Sequence, residues 1–244
     1  MFCGAVWANS VESANIVGYN QTALVENKLN MTGVMFTSPD GNDIDLNGTN
    51  ISIAGLTGGA DDTSSDLIMV WDAELNGYTT YYYYYEDGAA PEDVRWWDAG
   101  GESEPIFSSG TAFWYKAKEG GSRSITISGQ VENDADITIE LVGGKLNMCI
   151  NPYPSDIDLN SSSVTIENLS GGADDTSSDL VMVWDAELNG YTTYYYYYED
   201  GATLEDVRWW DAGGESEPVI TIGAGFWYKA KSGEGKKIVF KRPF

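Results

Sequence analysis

Ten aromatic side chains stand in two stretches of the chain, and their rings could bind sugars. The passage WDAELNGYTTYYYYYEDG, with five consecutive tyrosines, runs from Trp71 to Gly88 and again from Trp184 to Gly201. Aromatic faces stack on the apolar C–H surface of a sugar ring, while nearby acids and asparagines bond its hydroxyl groups. The candidates for such a platform are Tyr81, Tyr83, Tyr85, Trp96, Trp97, Tyr194, Tyr196, Tyr198, Trp209 and Trp210. The alternative is that these rings pack against protein, as aromatic side chains most often do.

Three acidic stretches offer oxygen ligands of the kind that calcium prefers. The first, SPDGNDIDLNGTN, matches the first half of a calcium-loop pattern, but Ala54 stands where the closing glutamate is expected. The others are the two copies of GGADDTSSD, at 58–66 and 171–179. The candidate ligands are Asp43, Asp45, Asn47, Asp61, Asp62, Asp66, Asp174, Asp175 and Asp179. The alternative is that these loops are solvated surface, and the sequence indicates no other cofactor.

The residue types argue against catalysis. The chain has no histidine, and neither a cysteine nor a serine lies in a nucleophile motif. Carboxylate pairs such as Asp98 with Glu102 could be drawn as the two acids of a glycosidase, but among 38 acidic residues such pairs are unavoidable. We therefore expect a protein that is not an enzyme.

The charge of the chain limits its partners. Thirty-eight acidic and 13 basic residues give a formal net charge of −25, which repels nucleic acid. No stretch approaches the ~20 apolar residues that span a membrane. Six of the bases lie in the last sixteen residues, namely Lys229, Lys231, Lys236, Lys237, Lys241 and Arg242. This basic terminal strand could dock head-to-tail on an acidic face of another copy, or it could pair with the protein's own acids.

The chain contains one unit twice. Residues 61–105 and 174–218 repeat at an offset of 113 positions, and only three of the 45 aligned pairs differ. A repeat of this length that is present twice predicts two tandem domains rather than a solenoid. We expect a first domain at 15–132 and a second at 133–244, with the boundary in the polar, glycine-marked segment SGQVENDAD.

Within each copy the pattern predicts β-strands. Segments of four to eight residues rich in Val, Ile, Thr, Tyr and Trp alternate with clusters of Gly, Asn, Asp and Ser. No segment of ten or more residues has a convincing helical period. The predicted fold class is therefore all-β, with two tandem homologous domains that are each a β-sandwich or barrel.

Asn76-Gly77 predicts a tight hairpin in the tyrosine-rich passage, because both central positions of such a turn need positive φ. Pairing outward from a two-residue turn sets Trp71 opposite Tyr82 and Met69 opposite Tyr84. In that register these four side chains share one face, which is predicted to lie in the core. The alternate tyrosines then need a second cover, such as another sheet, the other domain, another molecule or a ligand. A longer loop through 72–77 is the alternative.

Three short segments carry a resemblance to known proteins. They are ESANIVGYNQ at 12–21, VWDAELNGYTTYYYY in the hairpin, and GAGFWYKA at 223–230. They resemble landmarks of a poorly characterised family of secreted, often tandemly duplicated β-rich proteins of verrucomicrobial-type bacteria. In that family an Asn-Ile-Val-Gly-Tyr start follows the signal peptide, a Trp-Asp…Gly-Tyr hairpin lies in mid-domain, and a Gly-Phe-Trp strand closes it.

The resemblance implies export but brings no established activity or site. It implies cleavage near Ala8 or Ala14, so residues 1–14 would be the remnant of a signal peptide. A short N-terminal strand is the alternative for this segment. The first copy departs from the pattern at Thr111-Ala112-Phe113, where Ala112 stands in place of Gly225.

These observations together predict a non-enzymatic, exported protein at the cell surface or in the extracellular matrix. It would serve in structure or adhesion, through self-assembly or protein binding. The alternative is a tandem carbohydrate-binding module that holds a surface glycan on its aromatic platform. Exposure of the aromatic rings separates these functions, because rings in a concave groove favour sugar and rings on a flat face or edge favour a protein partner.

Overall fold

The computed structural model describes residues 17–26, 28–90, 93–102, 105–118, 120–132, 136–201, 207–211, 213–215 and 218–242. These ranges contain strands and turns but no α-helix, which confirms the predicted all-β class. They accordingly include no helix of the length and apolar character needed to cross a membrane. The predicted signal-peptide remnant at 1–14 lies outside the described residues.

The strands fall into two consecutive sets, one for each copy of the repeat. The first set is β1 (Val17–Leu24), β2 (Leu29–Gly33), β3 (Ile44–Asp45), β4 (Ile51–Ala54), β5 (Leu67–Asp72), β6 (Gly77–Tyr83), β7 (Trp96–Asp98), β8 (Gly101–Glu102), β9 (Ile106–Phe107), β10 (Ala112–Lys116) and β11 (Arg123–Gln130). The second set is β12 (Ile137–Leu141), β13 (Leu146–Ile150), β14 (Ile157–Asp158), β15 (Val164–Glu167), β16 (Leu180–Asp185), β17 (Gly190–Tyr196), β18 (Trp209–Asp211), β19 (Gly214–Glu215), β20 (Val219–Ile220), β21 (Gly225–Lys229) and β22 (Lys236–Phe240).

The two sets have the same topology. In the first repeat the sheet orders are β1-β11-β4, β2-β10-β5-β6-β7-β8 and β3-β9. In the second they are β12-β22-β15, β13-β21-β16-β17-β18-β19 and β14-β20. Neighbouring strands pair antiparallel throughout these sheets. The sequence repeat is thus also a repeat of structure, while the division into domains at 132/133 stays a prediction.

Each repeat has its own apolar core between its three-stranded and six-stranded sheets. In the first repeat, Ile125 and Ile127 of β11 share one cluster with Phe113 and Tyr115 of β10. The strand β11 alternates buried and half-buried residues along its whole length, as a strand with one face on a core must. The second repeat has the corresponding cluster, which includes Phe226, Tyr228, Ile238 and Phe240. Two sheets over one core is the arrangement of a β-sandwich.

The β5–β6 hairpin has a longer turn than Asn76-Gly77 predicts, so the two-residue register is wrong. Asp72 pairs with Gly77 and Trp71 with Tyr78, which leaves four residues, 73–76, in the turn. The Leu75 N–H donates to Asp72 Oδ1 at 2.9 Å, and only Asn76 has positive φ there, at 52°. The Asp72 side chain therefore organises a wider turn, and the longer-loop alternative is confirmed.

The predicted assignment of faces on this hairpin is also wrong. Ile68 is fully buried in the core, and Tyr81 and Tyr83 pack against the same cluster. Met69 and Trp71 point to the opposite face of the sheet. Both faces of the hairpin are apolar near its base, so the sequence pattern could not show which face meets the second sheet.

The face with Met69 and Trp71 is covered by the other repeat. It joins an aromatic and methionine-rich cluster whose members are Leu29, Met31, Met69, Trp71, Trp114, Leu146, Met148, Met182, Trp184 and Trp227. The contacts are reciprocal. Trp71 Nε1–H donates to the Leu146 carbonyl at 2.7 Å, and Trp184 Nε1–H donates to the Leu29 carbonyl at the same distance.

The ring contacts across this interface have the same symmetry. Trp71 meets Trp227 edge-to-face with centroids 5.5 Å apart, and Trp114 meets Trp184 in the same way at 5.2 Å. Since Trp71 corresponds to Trp184 and Trp114 to Trp227, the repeats pack about a pseudo-two-fold axis.

One position breaks this symmetry. Gly33 has no room for a side chain. A Cβ atom added to it would stand 2.3 Å from the Thr111 carbonyl oxygen and 2.9 Å from Ile150 Cδ1. Ile150 is the residue that corresponds to Gly33 in the second repeat, and it is fully buried. The isoleucine of one repeat therefore occupies space that the glycine of the other leaves open.

Candidate functional site

A strip of aromatic rings lies on the six-stranded sheet of each repeat, on the face opposite the core. In the first repeat it consists of Tyr82, Tyr84 and Trp97, which we call the aromatic strip. Trp97 stacks on Tyr84 with ring centroids 4.2 Å apart and planes 12° from parallel, and it lies 6.4 Å from Tyr82. All three side chains are half-buried, so part of each ring faces solvent.

The second repeat carries the same strip, formed by Tyr195, Tyr197 and Trp210. Trp210 stacks on Tyr197 at 4.2 Å and 12° and lies 6.5 Å from Tyr195. The agreement between the two copies follows from the identical sequence of this part of the chain.

Cross-strand pairing places these rings together. Tyr82 of β6 stands directly opposite Trp97 of β7, and Tyr83 stands opposite Trp96. Because side chains alternate along a strand, Tyr82 and Trp97 share the outer face, whereas Tyr83 and Trp96 share the core face. The Trp96 N–H donates to Asn47 Oδ1 at 2.7 Å, which fixes the start of β7.

The structure divides the predicted platform between the two faces. Six of its members lie on the core side, where they contact the apolar clusters: Tyr81, Tyr83, Trp96, Tyr194, Tyr196 and Trp209. Trp96 and Trp209 are buried. Tyr85 and Tyr198 are exposed beyond the ends of their strands, and only Trp97 and Trp210 belong to the strips. Sequence reasoning chose the wrong alternate tyrosines, because it placed the core on the wrong face.

Each strip has carboxylates beside it. The Tyr84 hydroxyl donates to Glu86 Oε2 at 2.8 Å. The pKa of Tyr82 is raised by burial first, and then by the negative charges of Asp61, Asp62 and Asp98. The pKa of Tyr195 is raised in the same way by burial and by Asp174, Asp175 and Asp211.

A cavity adjoins each strip. In the second repeat a cavity of about 260 Å³ is lined by Asp174, Asp175, Thr193 and Tyr195. In the first repeat a cavity of about 480 Å³ is lined by Asp62, Thr63, Ser65, Leu67, Lys116, Ala117 and Lys118. Leu67 is the cross-strand partner of Tyr82, so this cavity is also next to the strip. Aromatic and acidic side chains thus line one concave surface in the second repeat, and in the first repeat Asp62 lines a cavity next to the strip.

Each strip also contains a polar group without a partner. Within the described residues, the indole N–H groups of Trp97 and Trp210 are buried and make no hydrogen bond. A buried donor that is left unsatisfied costs about 1–3 kcal/mol, so its presence in both copies needs an explanation such as a bound ligand or water.

The acidic loop next to the strip is built around a buried aspartate. Asp66 Oδ2 accepts hydrogen bonds from the Thr57 N–H at 2.8 Å, the Tyr115 hydroxyl at 2.6 Å and the Arg123 guanidinium at 2.7 Å. Asp66 Oδ1 accepts from the Lys118 N–H at 2.7 Å. Four donors, one of them cationic, leave this carboxylate no role as a calcium ligand.

Asp179 has the same role in the second repeat. Its Oδ2 accepts from the Ser170 N–H, the Tyr228 hydroxyl and the Lys236 ammonium, each at 2.8 Å, and its Oδ1 accepts from the Lys231 N–H at 2.5 Å. The cation is thus Arg123 in the first repeat and Lys236 in the second, at corresponding positions.

Other predicted calcium ligands bond within their own loops. Asp61 Oδ1 accepts from the Thr63 N–H at 3.0 Å, and Asp174 Oδ1 accepts from the Thr176 N–H at 3.0 Å. Asp45 Oδ1 accepts from the Asn47 N–H at 2.8 Å, and Asp43 is exposed. In the part of the chain that the structure describes, no three His, Cys, Asp or Glu side chains are placed to hold one metal ion.

The basic C-terminal strand pairs with acids of its own chain. Lys236 bonds Asp179, Lys237 lies 3.2 Å from Glu167, and Lys241 lies 2.8 Å from Asp136. This is the intramolecular alternative of the sequence analysis. Cys149 is a free, buried thiol, as expected of a small apolar core residue.

Comparison of the chain with protein-family models, with curated proteins and with solved structures gives no match.

Proposed function

We propose that the protein is a non-enzymatic, exported binding protein whose two aromatic strips hold carbohydrate. One observation carries this proposal: each repeat presents partly exposed rings of Tyr, Tyr and Trp beside a cavity to which an exposed aspartate contributes. Rigid rings bind the C–H face of a sugar at low cost in side-chain entropy, and carboxylates accept hydrogen bonds from its hydroxyl groups.

The distribution of identity between the repeats supports a shared ligand. The block 61–105, which forms the strip, the loop and the hairpin, matches its copy at 42 of 45 positions. The flanking segments 43–60 and 106–118 match theirs at only 10 of 18 and 7 of 13 positions. Exposed residues beside the strip, such as Asp62 and Glu86, are also identical, and packing alone does not require that.

The test is a pair of matched double variants in affinity electrophoresis. Native gels would contain a soluble β-glucan, a xylan, a galactomannan or a chitosan. We expect Tyr82→Ser with Tyr195→Ser to weaken retardation about tenfold or more, because one lost ring contact of about 1.5 kcal/mol corresponds to that factor. Leu75→Ser with Leu188→Ser removes an exposed apolar side chain from each hairpin tip and should leave retardation unchanged.

Two results would count against carbohydrate binding through the strips. One is a wild-type protein that none of the polysaccharides retards. The other is equal retardation of the tyrosine variant and the wild type. Melting temperatures of all variants, which we expect to be close to wild type, show that a lost interaction is not lost folding.

Self-assembly at the cell surface is the second candidate, and a specific strand favours it. β1 is an eight-residue edge strand that, among the described residues, pairs only with β11. It carries no charged side chain, and its Val17 and Tyr19 are 64% and 74% exposed. Long, uncharged edge strands add further strands readily.

A further inference from the structure

One acid in each acidic loop is left free by the fold. Asp61 organises its own loop and Asp66 is saturated by four donors, but Asp62 accepts no hydrogen bond from the described residues. It is exposed and lines the cavity beside the strip of the first repeat. The local structure therefore does not explain the carboxylate of Asp62.

Asp175 is in the same situation in the second repeat. It accepts no hydrogen bond within the described part of the chain, is exposed, and lines a cavity together with the ring of Tyr195. A lysine lies beside the loop in both repeats, because Lys118 Nζ–H donates to the Thr63 carbonyl and Lys231 Nζ–H donates to the Thr176 carbonyl. The two sites thus present the same rings, the same free acid and the same neighbouring lysine.

We propose that the ligand of the aromatic strips is a sugar chain that bears ammonium groups, a polymer of the glucosamine class, whose amines are bound by Asp62 and Asp175. This inference rests on the proposed carbohydrate binding and adds the charge of the ligand. An ammonium group next to a ring that stacks on an aromatic face gains both a carboxylate partner and a cation–π contact.

The charge of the whole molecule favours the same class. A formal net charge of −25 repels uronate-containing and sulfated chains and raises the local concentration of cationic ones. Net charge alone would attract any polycation, so the specific content of the proposal is that two named carboxylates make the contact.

The probes are two hexasaccharides of equal length, glucosamine hexamer and N-acetylglucosamine hexamer. Affinities are measured by titration calorimetry in a buffer of about pH 5.5, which keeps the amines of the glucosamine hexamer protonated. We expect the wild type to bind the glucosamine hexamer at least tenfold more tightly. We also expect the preference to shrink at about 0.5 M salt, because the ion pairs are exposed.

The variants separate specific contact from net charge. Asp62→Asn with Asp175→Asn should weaken binding of the glucosamine hexamer about tenfold and leave the N-acetylated hexamer unaffected. Glu74→Gln with Glu187→Gln changes the net charge equally at the hairpin tips and should change neither affinity. The strand from Gly77 to Tyr82 separates these tips from the strip by about 17 Å. Asp62→Asn alone and Asp175→Asn alone should weaken binding by similar factors, because the same side chains surround both carboxylates.

Three outcomes would overturn the inference. They are equal binding of the two hexamers, equal losses in the Asp and Glu variants, and no binding of either hexamer. If a neutral polysaccharide is still retarded, and Tyr82→Ser with Tyr195→Ser abolishes this, the proposed function survives while the amino-sugar inference fails. If no glycan binds at all, both fail.

Discussion

At the scale of the residue, Asp66 shows how distant parts of the chain decide what a side chain does. Its own loop, GGADDTSSD, is compatible with a cation site, which was one of the two interpretations that the sequence allowed. The donors that occupy its carboxylate come from Tyr115 and Arg123, 49 and 57 residues farther along. A local motif does not contain that information. Asp62, four residues earlier, keeps the free carboxylate that the motif suggested.

We expect Asp66→Asn to destabilise the protein by about 3–5 kcal/mol, because it leaves the buried guanidinium of Arg123 without its counter-charge. Arg123→Lys should cost less than about 1.5 kcal/mol, since Lys236 makes the equivalent buried pair with Asp179. Guanidinium unfolding midpoints measure both changes. Equal losses would show that the Arg123 bonds to the Gly55 carbonyl and the Thr57 hydroxyl outweigh the charge.

At the scale of the element, strands were predictable, but their register and their buried face were not. Alternation and turn residues located β5 and β6 correctly. The register failed because the Asp72 side chain bonds the Leu75 N–H and widens the turn. The choice of face failed because a run of five tyrosines is apolar on both sides, and only the partner sheet settles which side is core. The aromatic strip was therefore missed by one residue, in favour of its alternate neighbours.

If the protein assembles through the edge of β1, a charged residue on that strand should block assembly, whereas a charged residue on another edge strand should not. A wild-type sedimentation coefficient that rises with concentration should become constant in Tyr19→Lys, because a charge on an edge strand blocks pairing. Thr165→Lys, on the edge strand β15 of the second repeat, is the control and should behave as wild type. Concentration-independent sedimentation of the wild type would exclude this assembly. A difference between calcium and chelator would restore the acidic loops as metal sites.

At the scale of the whole molecule, the duplication was evident from the sequence, but the interface between the two repeats was not. The offset of 113 positions predicted two equivalent units. The interface depends on hydrogen bonds such as the one from the Trp71 indole N–H to the Leu146 carbonyl, which joins residues 75 positions apart in the sequence. Trp71 lies on a face that the hairpin pattern had placed in a core, so its true partner could not be read from its neighbours.

The molecule should lose stability in alkali through the same buried tyrosine in each repeat. Burial, and then contact with Asp66 or Asp179, raises the pKa of Tyr115 and Tyr228 far above the ordinary value. The unfolded chain releases these protons near pH 10 and the folded chain does not. Their contribution is therefore complete below about pH 10 and falls above it by about 1.4 kcal/mol per pH unit for each tyrosine.

Unfolding midpoints between about pH 9 and 11.5 test this expectation. Tyr115→Phe with Tyr228→Phe should be less stable than wild type at pH 9, because each substitution removes a hydrogen bond to a buried carboxylate. The difference should shrink as the pH rises, since phenylalanine does not ionise. Parallel curves for wild type and variant would show that these two tyrosines do not cause the loss.

The unequal pair of Gly33 and Ile150 bears on the history of the chain. In a symmetric dimer of a single repeat, both sides of the interface would carry the same residue at this position. Two glycines would leave a void, and two isoleucines would compete for one space, since even a Cβ at Gly33 would stand 2.9 Å from Ile150 Cδ1. Two independently encoded copies, such as the two repeats of this chain, allow the two sides to evolve apart. The present interface is thus one that a single-repeat ancestor could not have encoded.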